Sequence, residues 1–78
     1  MSLYQERITA DSKVMLGKPC VRGTRLTVEL ILGRLAEGMP PEELLEAYPR
    51  LTLLDIRAVL DYALAVVRHE DEMLPQAA

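Results

Sequence analysis

The spacing of hydrophobic and polar positions along this chain changes near residue 27. Beyond that point, apolar residues recur every three or four positions in three consecutive segments, which is the period of a helix that buries one face. Turn-forming residues separate the segments, because Gly38 follows the first, Pro41 opens the second and Pro49 ends it. The pattern therefore predicts three helices, the first of which begins after Thr27 as its N-cap.

The third predicted helix is the longest, and it carries the clearest start signal. Thr52 and Asp55 are spaced as a capping box with Asp in place of the usual Glu, and the helical period continues to about Arg68. On a helical projection we expect one side to face the core, namely Leu53, Ile56, Leu60, Ala63 and Val67. A second apolar group lies beside the polar stripe and exceeds the needs of one small core, namely Leu54, Ala58, Leu64 and Ala65. This surplus predicts a homodimer.

Residues 1–27 show no helical period, and we interpret them as an N-terminal β arm. Short β-capable pieces alternate there with turn residues, and the pieces are residues 7–9, 14–16, 20–21 and 26–28. Two short strands are only marginally stable alone, so we expect the arm to lie on the helices or to pair with another chain. The predicted fold class is mainly α with a short N-terminal β segment, in a single domain over residues 1–69. Residues 70–78 are predicted to form an acidic, flexible tail.

Composition narrows the classes of function. The chain has 78 residues, of which 50% are hydrophobic and 27% charged, which is the balance of one small globular domain. Cys20 is the single cysteine and His69 the single histidine, so we expect neither an internal disulfide nor a zinc cluster. No nucleophile is paired with a base, and we therefore expect no enzyme, no cofactor and no metal. The sequence carries neither a signal peptide nor a long apolar run, which predicts a cytoplasmic protein without a membrane segment.

The net charge of −3 is unevenly distributed along the chain. The first 34 residues carry six basic and three acidic residues, and the remaining 44 carry three basic and nine acidic ones. In the most informative basic stretch, Gly17 and Gly23 allow tight turns. Close to these glycines stand Lys18, Arg22 and Arg25. The three basic side chains could converge on phosphate oxygens, or they could simply be the solvated residues of a tight hairpin.

The lengths of the predicted helices and of their connections match a trihelical helix-turn-helix domain. In that interpretation the third helix enters a DNA groove with Arg57, and Arg50 before its start contacts phosphate. Asp61 lies one turn beyond Arg57 and is expected to pair with it, which would weaken the contact of this helix with DNA. The alternative is that the third helix is structural, because any three-helix bundle has the same outline. We therefore expect the arm to contribute more to DNA affinity than the third helix.

The sequence GKPCVRGTRLTV at residues 17–28 resembles the signature of a small bacterial family catalogued as domain of unknown function four-three-three, a relative of VapB-like antitoxins. Four later blocks are similar to that family in order and spacing, namely residues 36–38, 42–45, 48–52 and 55–63. The resemblance implies a homeodomain-like trihelical core, commonly dimeric, that acts as an antitoxin and DNA-binding autorepressor beside a PIN-like ribonuclease toxin. Two positions depart from the family pattern, since this chain has Ser12 where a proline is common and Leu16 where a second glycine is common.

The leading hypothesis is an antitoxin-like regulator that binds double-stranded DNA and neutralises a PIN-like toxin. The DNA-binding candidates are Lys18, Arg22, Arg25, Arg50 and Arg57. The acidic remainder of the chain would contact a basic surface of the toxin. The alternative is a protein-interaction or dimerisation module that does not bind DNA, which agrees with the net charge of −3.

Overall fold

The computed structural model describes residues 2–70, and these residues form a mainly helical fold. In chain order, the elements are α1 (Leu3–Arg7), β1 (Ile8–Thr9), β2 (Cys20–Val21), α2 (Val28–Ala36), α3 (Pro41–Ala47) and α4 (Leu53–Glu70). A single 3₁₀ turn, Met15–Gly17, lies between the two strands. The tail that we predicted at residues 70–78 lies outside the described residues, apart from Glu70 at the end of α4. Within residues 2–70, no helix combines the length and the apolar character that crossing a membrane requires.

The three helices predicted beyond residue 27 are present as α2, α3 and α4. The Thr27 hydroxyl caps α2 by accepting the Leu30 N–H at 3.0 Å, and Gly38 follows that helix with a φ of +99°. At the start of α4, the Thr52 N–H donates to Asp55 Oδ2 at 2.9 Å, and the Asp55 N–H donates to Thr52 Oγ1 at 3.2 Å. This reciprocal pair confirms the capping box with Asp in the place of Glu.

The sequence pattern does not predict α1, because five residues are too few to show a helical period. The support for α1 comes from α4 instead. The Tyr4 ring packs edge to face on Tyr62 with the ring centroids 5.6 Å apart, and the Tyr4 N–H donates to Asp61 Oδ2 at 3.3 Å. Arg7 Nη1 lies 3.0 Å from Asp55 Oδ1. The predicted β arm therefore begins with a helix, which distant residues of the chain hold in place.

The two strands of the arm form an antiparallel pair, in which Ile8 faces Val21 and Thr9 faces Cys20. Two of the four predicted strand pieces are thus confirmed. The other two are wrong, because one enters the 3₁₀ turn and the other makes a single bridge, from Thr27 to Cys20, before α2 begins. Cys20 and Val21 are both buried, so the arm lies on the helices as expected.

The core is aliphatic and lies where β2 meets helices α2, α3 and α4. Its buried members are Val21, Val28, Ile31, Leu44, Leu51, Ile56 and Val59. Half-buried side chains from the arm and the helices extend this cluster, among them Ile8, Leu35 and Tyr62. The core therefore joins the arm and the helices in one packed cluster.

The face that α4 turns to this core differs from the prediction. Ile56 is buried as predicted, but three residues expected to be buried are instead 56%, 49% and 61% exposed, namely Leu53, Leu60 and Val67. Asp55, Ala58 and Val59 are buried in their place. Asp55 faces inward because it binds the arm through Arg7. Apolar residues surround most of α4, so the helical period alone did not identify the buried side.

Candidate nucleic-acid interface

Four of the five basic candidates line one hollow at the surface of the arm. The hollow has a volume of about 560 Å³, and its basic lining residues are Lys18, Arg22, Arg25 and Arg50. The other lining residues come from the two strands and the turns beside them, namely Thr9, Asp11, Val14, Cys20, Gly23 and Thr24. Arg50 reaches the hollow from the loop between α3 and α4, far along the chain from the arm. This convergence is therefore a property of the fold, and we call the site the cationic hollow.

The turn after β2 brings two of these arginines to the cationic hollow. The Thr24 N–H donates to Val21 O at 3.0 Å, and the Thr24 hydroxyl donates to the same oxygen at 2.8 Å. Gly23 adopts a φ of +79° in this turn, a conformation that side chains with a Cβ rarely adopt. Arg22 and Arg25 flank the Gly23–Thr24 pair and are both exposed. The glycine thus allows the tight turn that brings the two guanidinium groups to the same hollow.

Backbone contacts connect Arg22 to α1. Its N–H donates to Arg7 O at 2.8 Å, and its Nε donates to Glu6 O at 2.9 Å. The second contact orients the guanidinium without neutralising it, because a carbonyl carries no net charge. Arg7 in turn lies 3.0 Å from Asp55 of α4. The sequence pattern does not reveal this connection, for which the only local signal is the place of Asp55 in the capping box.

The charge of the cationic hollow is strongly positive. Among residues 2–70, four basic side chains and one carboxylate, that of Asp11, line the hollow and give a formal charge of +3. Lys18 is less available than we predicted, because its Nζ lies 3.3 Å from Glu29 Oε1 in an exposed ion pair. Within residues 2–70, the other three basic residues of the hollow have no acidic partner, namely Arg22, Arg25 and Arg50. These three guanidinium groups are the ones available to an anion.

Arg34, at the end of α2, does not line the cationic hollow. Its guanidinium lies 3.5 Å from the Glu37 carboxylate. The neighbouring Tyr48 and, to a lesser extent, Glu37 raise the pKa of the Arg34 guanidinium above its ordinary value. Arg34 is therefore engaged with residues outside the candidate site.

Arg57, the fifth candidate, lies in a different place. It lines a groove of about 440 Å³ between α1 and α4, which shares no lining residue with the cationic hollow. The ion pair that we predicted between Arg57 and Asp61 is wrong. Asp61 accepts the Tyr4 N–H instead, at 3.3 Å, because the unpredicted helix α1 lies beside it. The structure thus brings four candidates together and separates Arg57 from them.

Comparison with known proteins identifies the family. Residues 8–63 match the family described as "Protein of unknown function (DUF433)". The chain belongs to the DUF433 family. All four basic residues of the cationic hollow lie within the part that matches DUF433. The resemblance stated from the sequence motifs is therefore confirmed at the level of the family.

Two relatives extend this result. The chain is 38% identical over 63 residues to "Uncharacterized protein y4eO" of Sinorhizobium fredii (strain NBRC 101917 / NGR234), and the match covers 81% of the chain and 28% of that protein. The chain thus spans little more than a quarter of the length of this relative. A crystal structure of a DUF433 member from Anabaena variabilis ATCC 29413 resembles this fold with a TM-score of 0.77 at 30% identity, over 92% of this chain and 71% of that one. The fold described above is thus similar to that of another DUF433 protein.

Proposed function

We propose that the chain is a non-enzymatic, antitoxin-like regulator that binds double-stranded DNA through the cationic hollow. The observation that carries the proposal is the convergence of four basic residues on one concave surface, to which the described part of the chain contributes one carboxylate. Cations without acidic partners supply most of the nonspecific affinity of proteins for the DNA backbone. Three arginines of the hollow meet this requirement within residues 2–70, namely Arg22, Arg25 and Arg50.

The proposal includes a homeodomain-like helix-turn-helix arrangement, with α2, α3 and α4 as its three helices. In such an arrangement the third helix lies against a DNA groove. The first turn of α4 exposes Leu53 and Leu54, by 56% and 43%. Leucine side chains cannot donate hydrogen bonds to base edges, so in this proposal α4 serves as a structural helix and does not lie in the groove. The cationic hollow supplies the affinity, and Arg57, which lies outside the hollow, contributes less than Arg25.

The acidic part of the chain supports the second half of the proposal, the neutralisation of a PIN-like ribonuclease toxin. The residues after Arg34 carry nine acidic and three basic residues. Helix α3 exposes three of these acids, namely Glu42, Glu43 and Glu46. An acidic surface complements the basic surface that a ribonuclease needs for RNA, and it steers association between the two proteins. A complex of this kind is expected to dissociate as the salt concentration rises.

Two matched charge reversals on the arm test the DNA part of the proposal. Arg25→Glu removes a cation of the hollow, whereas Lys13→Glu makes the same change in charge at an exposed residue outside it. Binding of a fluorescent DNA duplex is measured between about 50 and 200 mM salt. We expect Arg25→Glu to reduce the magnitude of the log-log salt slope by about 0.9 or more, and Lys13→Glu to leave it nearly unchanged. Circular dichroism checks that both variants keep their helices.

Three results would overturn this part of the proposal. If the unmodified chain shows no salt-dependent binding, the alternative of a dimerisation or protein-interaction module stands. If both reversals reduce the slope equally, DNA binding depends on the overall charge of the chain and the hollow has no special role. If Arg57→Ala abolishes binding while Arg25→Glu does not, α4 is the DNA-binding element.

A further inference from the structure

The exposed face of α4 carries a regular apolar stripe that no other described part of the chain covers. Its four apolar residues are 56%, 49%, 46% and 61% exposed, in the order Leu53, Leu60, Leu64 and Val67. With Arg57 included, these positions alternate in steps of four and three, which is the spacing of a coiled-coil seam. We call these five residues the α4 seam. The buried residues Asp55 and Val59 lie on the opposite side of the helix.

We infer that the α4 seam binds the same seam of a second copy of this chain, with the two helices antiparallel. The inference does not rest on DNA binding. Charge determines the relative orientation of the two helices. Arg57 occupies a position within the seam, and Asp61 lies one turn further along α4, at the edge of the seam. In a parallel pair, the two Arg57 side chains would face each other and repel. In an antiparallel pair with its twofold axis between positions 57 and 61, Arg57 of each copy lies beside Asp61 of the other.

Both charged groups are available for this contact. Arg57 is exposed, and within residues 2–70 it has no acidic partner. Asp61 uses Oδ2 to accept the Tyr4 N–H, and among the described residues its Oδ1 has no hydrogen-bond partner. A foreign helix would need its own acid opposite Arg57 and its own base opposite Asp61. A second copy of this chain supplies both groups at the required positions.

The shape beside the seam is also suited to a second helix. The groove of about 440 Å³ is lined by Ser2 and Leu3 of α1 and by Arg57, Leu60, Asp61 and Leu64 of α4. Antiparallel pairing brings Leu53 of one copy beside Leu64 of the other and places the two Leu60 side chains near the axis. The 18 residues of α4 extend for about 27 Å, so the apolar positions run along most of the helix. The groove accommodates leucine side chains that the partner helix presents.

Sedimentation velocity tests whether the seam makes a dimer. At concentrations between about 1 and 100 μM, we expect the wild-type chain to sediment with twice the mass of a single chain. Leu60→Asp brings two carboxylates together at the axis and is expected to give a monomer. Leu16→Asp is the matched control, because Leu16 is 95% exposed and lies outside α4. It should leave the dimer unchanged.

Engineered cysteines test the orientation of the two helices. The native Cys20 is buried, so little background cross-linking is expected. An antiparallel pair places position 53 next to position 64 of the other copy, so a mixture of Leu53→Cys and Leu64→Cys chains should form a disulfide-linked dimer on mild oxidation. Neither variant should cross-link on its own.

A monomer at the highest concentration, or a dimer that survives Leu60→Asp, would overturn the inference. Cross-linking of Leu53→Cys alone would show a parallel pair and would overturn the orientation. If Leu60→Asp loses its helical circular dichroism, Leu60→Ala replaces it, since alanine favours helix formation. That variant is expected to keep its fold and to weaken dimerisation by about tenfold or more, and an unchanged dissociation constant would contradict the inference.

Discussion

Leu16 is held in a backbone conformation that its side chain disfavours. Its φ is 58° and its ψ 30°, and the neighbours Met15 and Gly17 also have positive φ values, of 49° and 81°. A residue with a Cβ pays about 1 to 2 kcal/mol in this left-handed region. The Leu16 side chain is 95% exposed, so burial does not offset the cost. The glycine common at this position in the family pattern would avoid the strain.

We therefore predict that Leu16→Gly stabilises the protein. The free energy of unfolding in urea should rise by about 0.5 to 1 kcal/mol. Glycine relieves the strain in the folded state, and part of this gain is lost because glycine also increases the conformational entropy of the unfolded chain. Leu54→Gly is the matched control, since Leu54 is exposed in the first turn of α4. There the same substitution should lower the stability by about 1 kcal/mol. Equal destabilisation by both variants would contradict the strain argument.

At the scale of elements, helices with local signals were predictable and the helix without them was not. The starts of α2 and α4 are set by hydroxyl caps a few residues away, at Thr27 and Thr52, so the sequence predicts both. Helix α1 depends on Asp55, Asp61 and Tyr62, which no short window of sequence connects to it. The ion pair between Asp55 and Arg7 also determines which side of α4 is buried. The sequence pattern therefore predicted the helix α4 correctly and its orientation wrongly.

The connection between the arm and α4 leads to a prediction at Asp55. Its carboxylate accepts the Thr52 N–H at 2.9 Å and lies 3.0 Å from Arg7 Nη1, with the side chain 9% exposed. Asp55→Asn removes the charge and leaves one acceptor oxygen for two donors, so either the Thr52 N–H or the Arg7 guanidinium loses its acceptor. We expect the free energy of unfolding to fall by about 1 to 3 kcal/mol. Asp11→Asn, which alters an exposed turn, should change it by less than about 0.5 kcal/mol, and equal effects would contradict the proposed role of Asp55.

At the scale of the whole molecule, the sequence predicts the basic residues of the candidate site, but it does not predict that they line one surface. The motif around Gly23 identifies Arg22 and Arg25 as candidates, because unpaired cations beside a turn favour anions. That Arg50 lines the same hollow depends on how the loop before α4 meets the arm. The exposed ion pair of Lys18 with Glu29 depends in the same way on the position of α2. Tertiary packing determines both outcomes, and the local sequence does not.

The cationic hollow and the α4 seam share no residue, so a dimer should carry two independent DNA-binding sites. If both proposals hold, each wild-type dimer contacts a duplex with two hollows, and the log-log salt slope should be about twice that of the monomeric variant Leu60→Asp. Ala47→Asp, an exposed position on α3, is the charge-matched control and should keep the wild-type slope. The slopes are measured by fluorescence anisotropy on one duplex long enough for both hollows. An equal slope for a confirmed Leu60→Asp monomer would mean that only one hollow of the dimer contacts DNA. The dimer and the DNA-binding hollow would then both stand, but the two sites would not act together on one duplex.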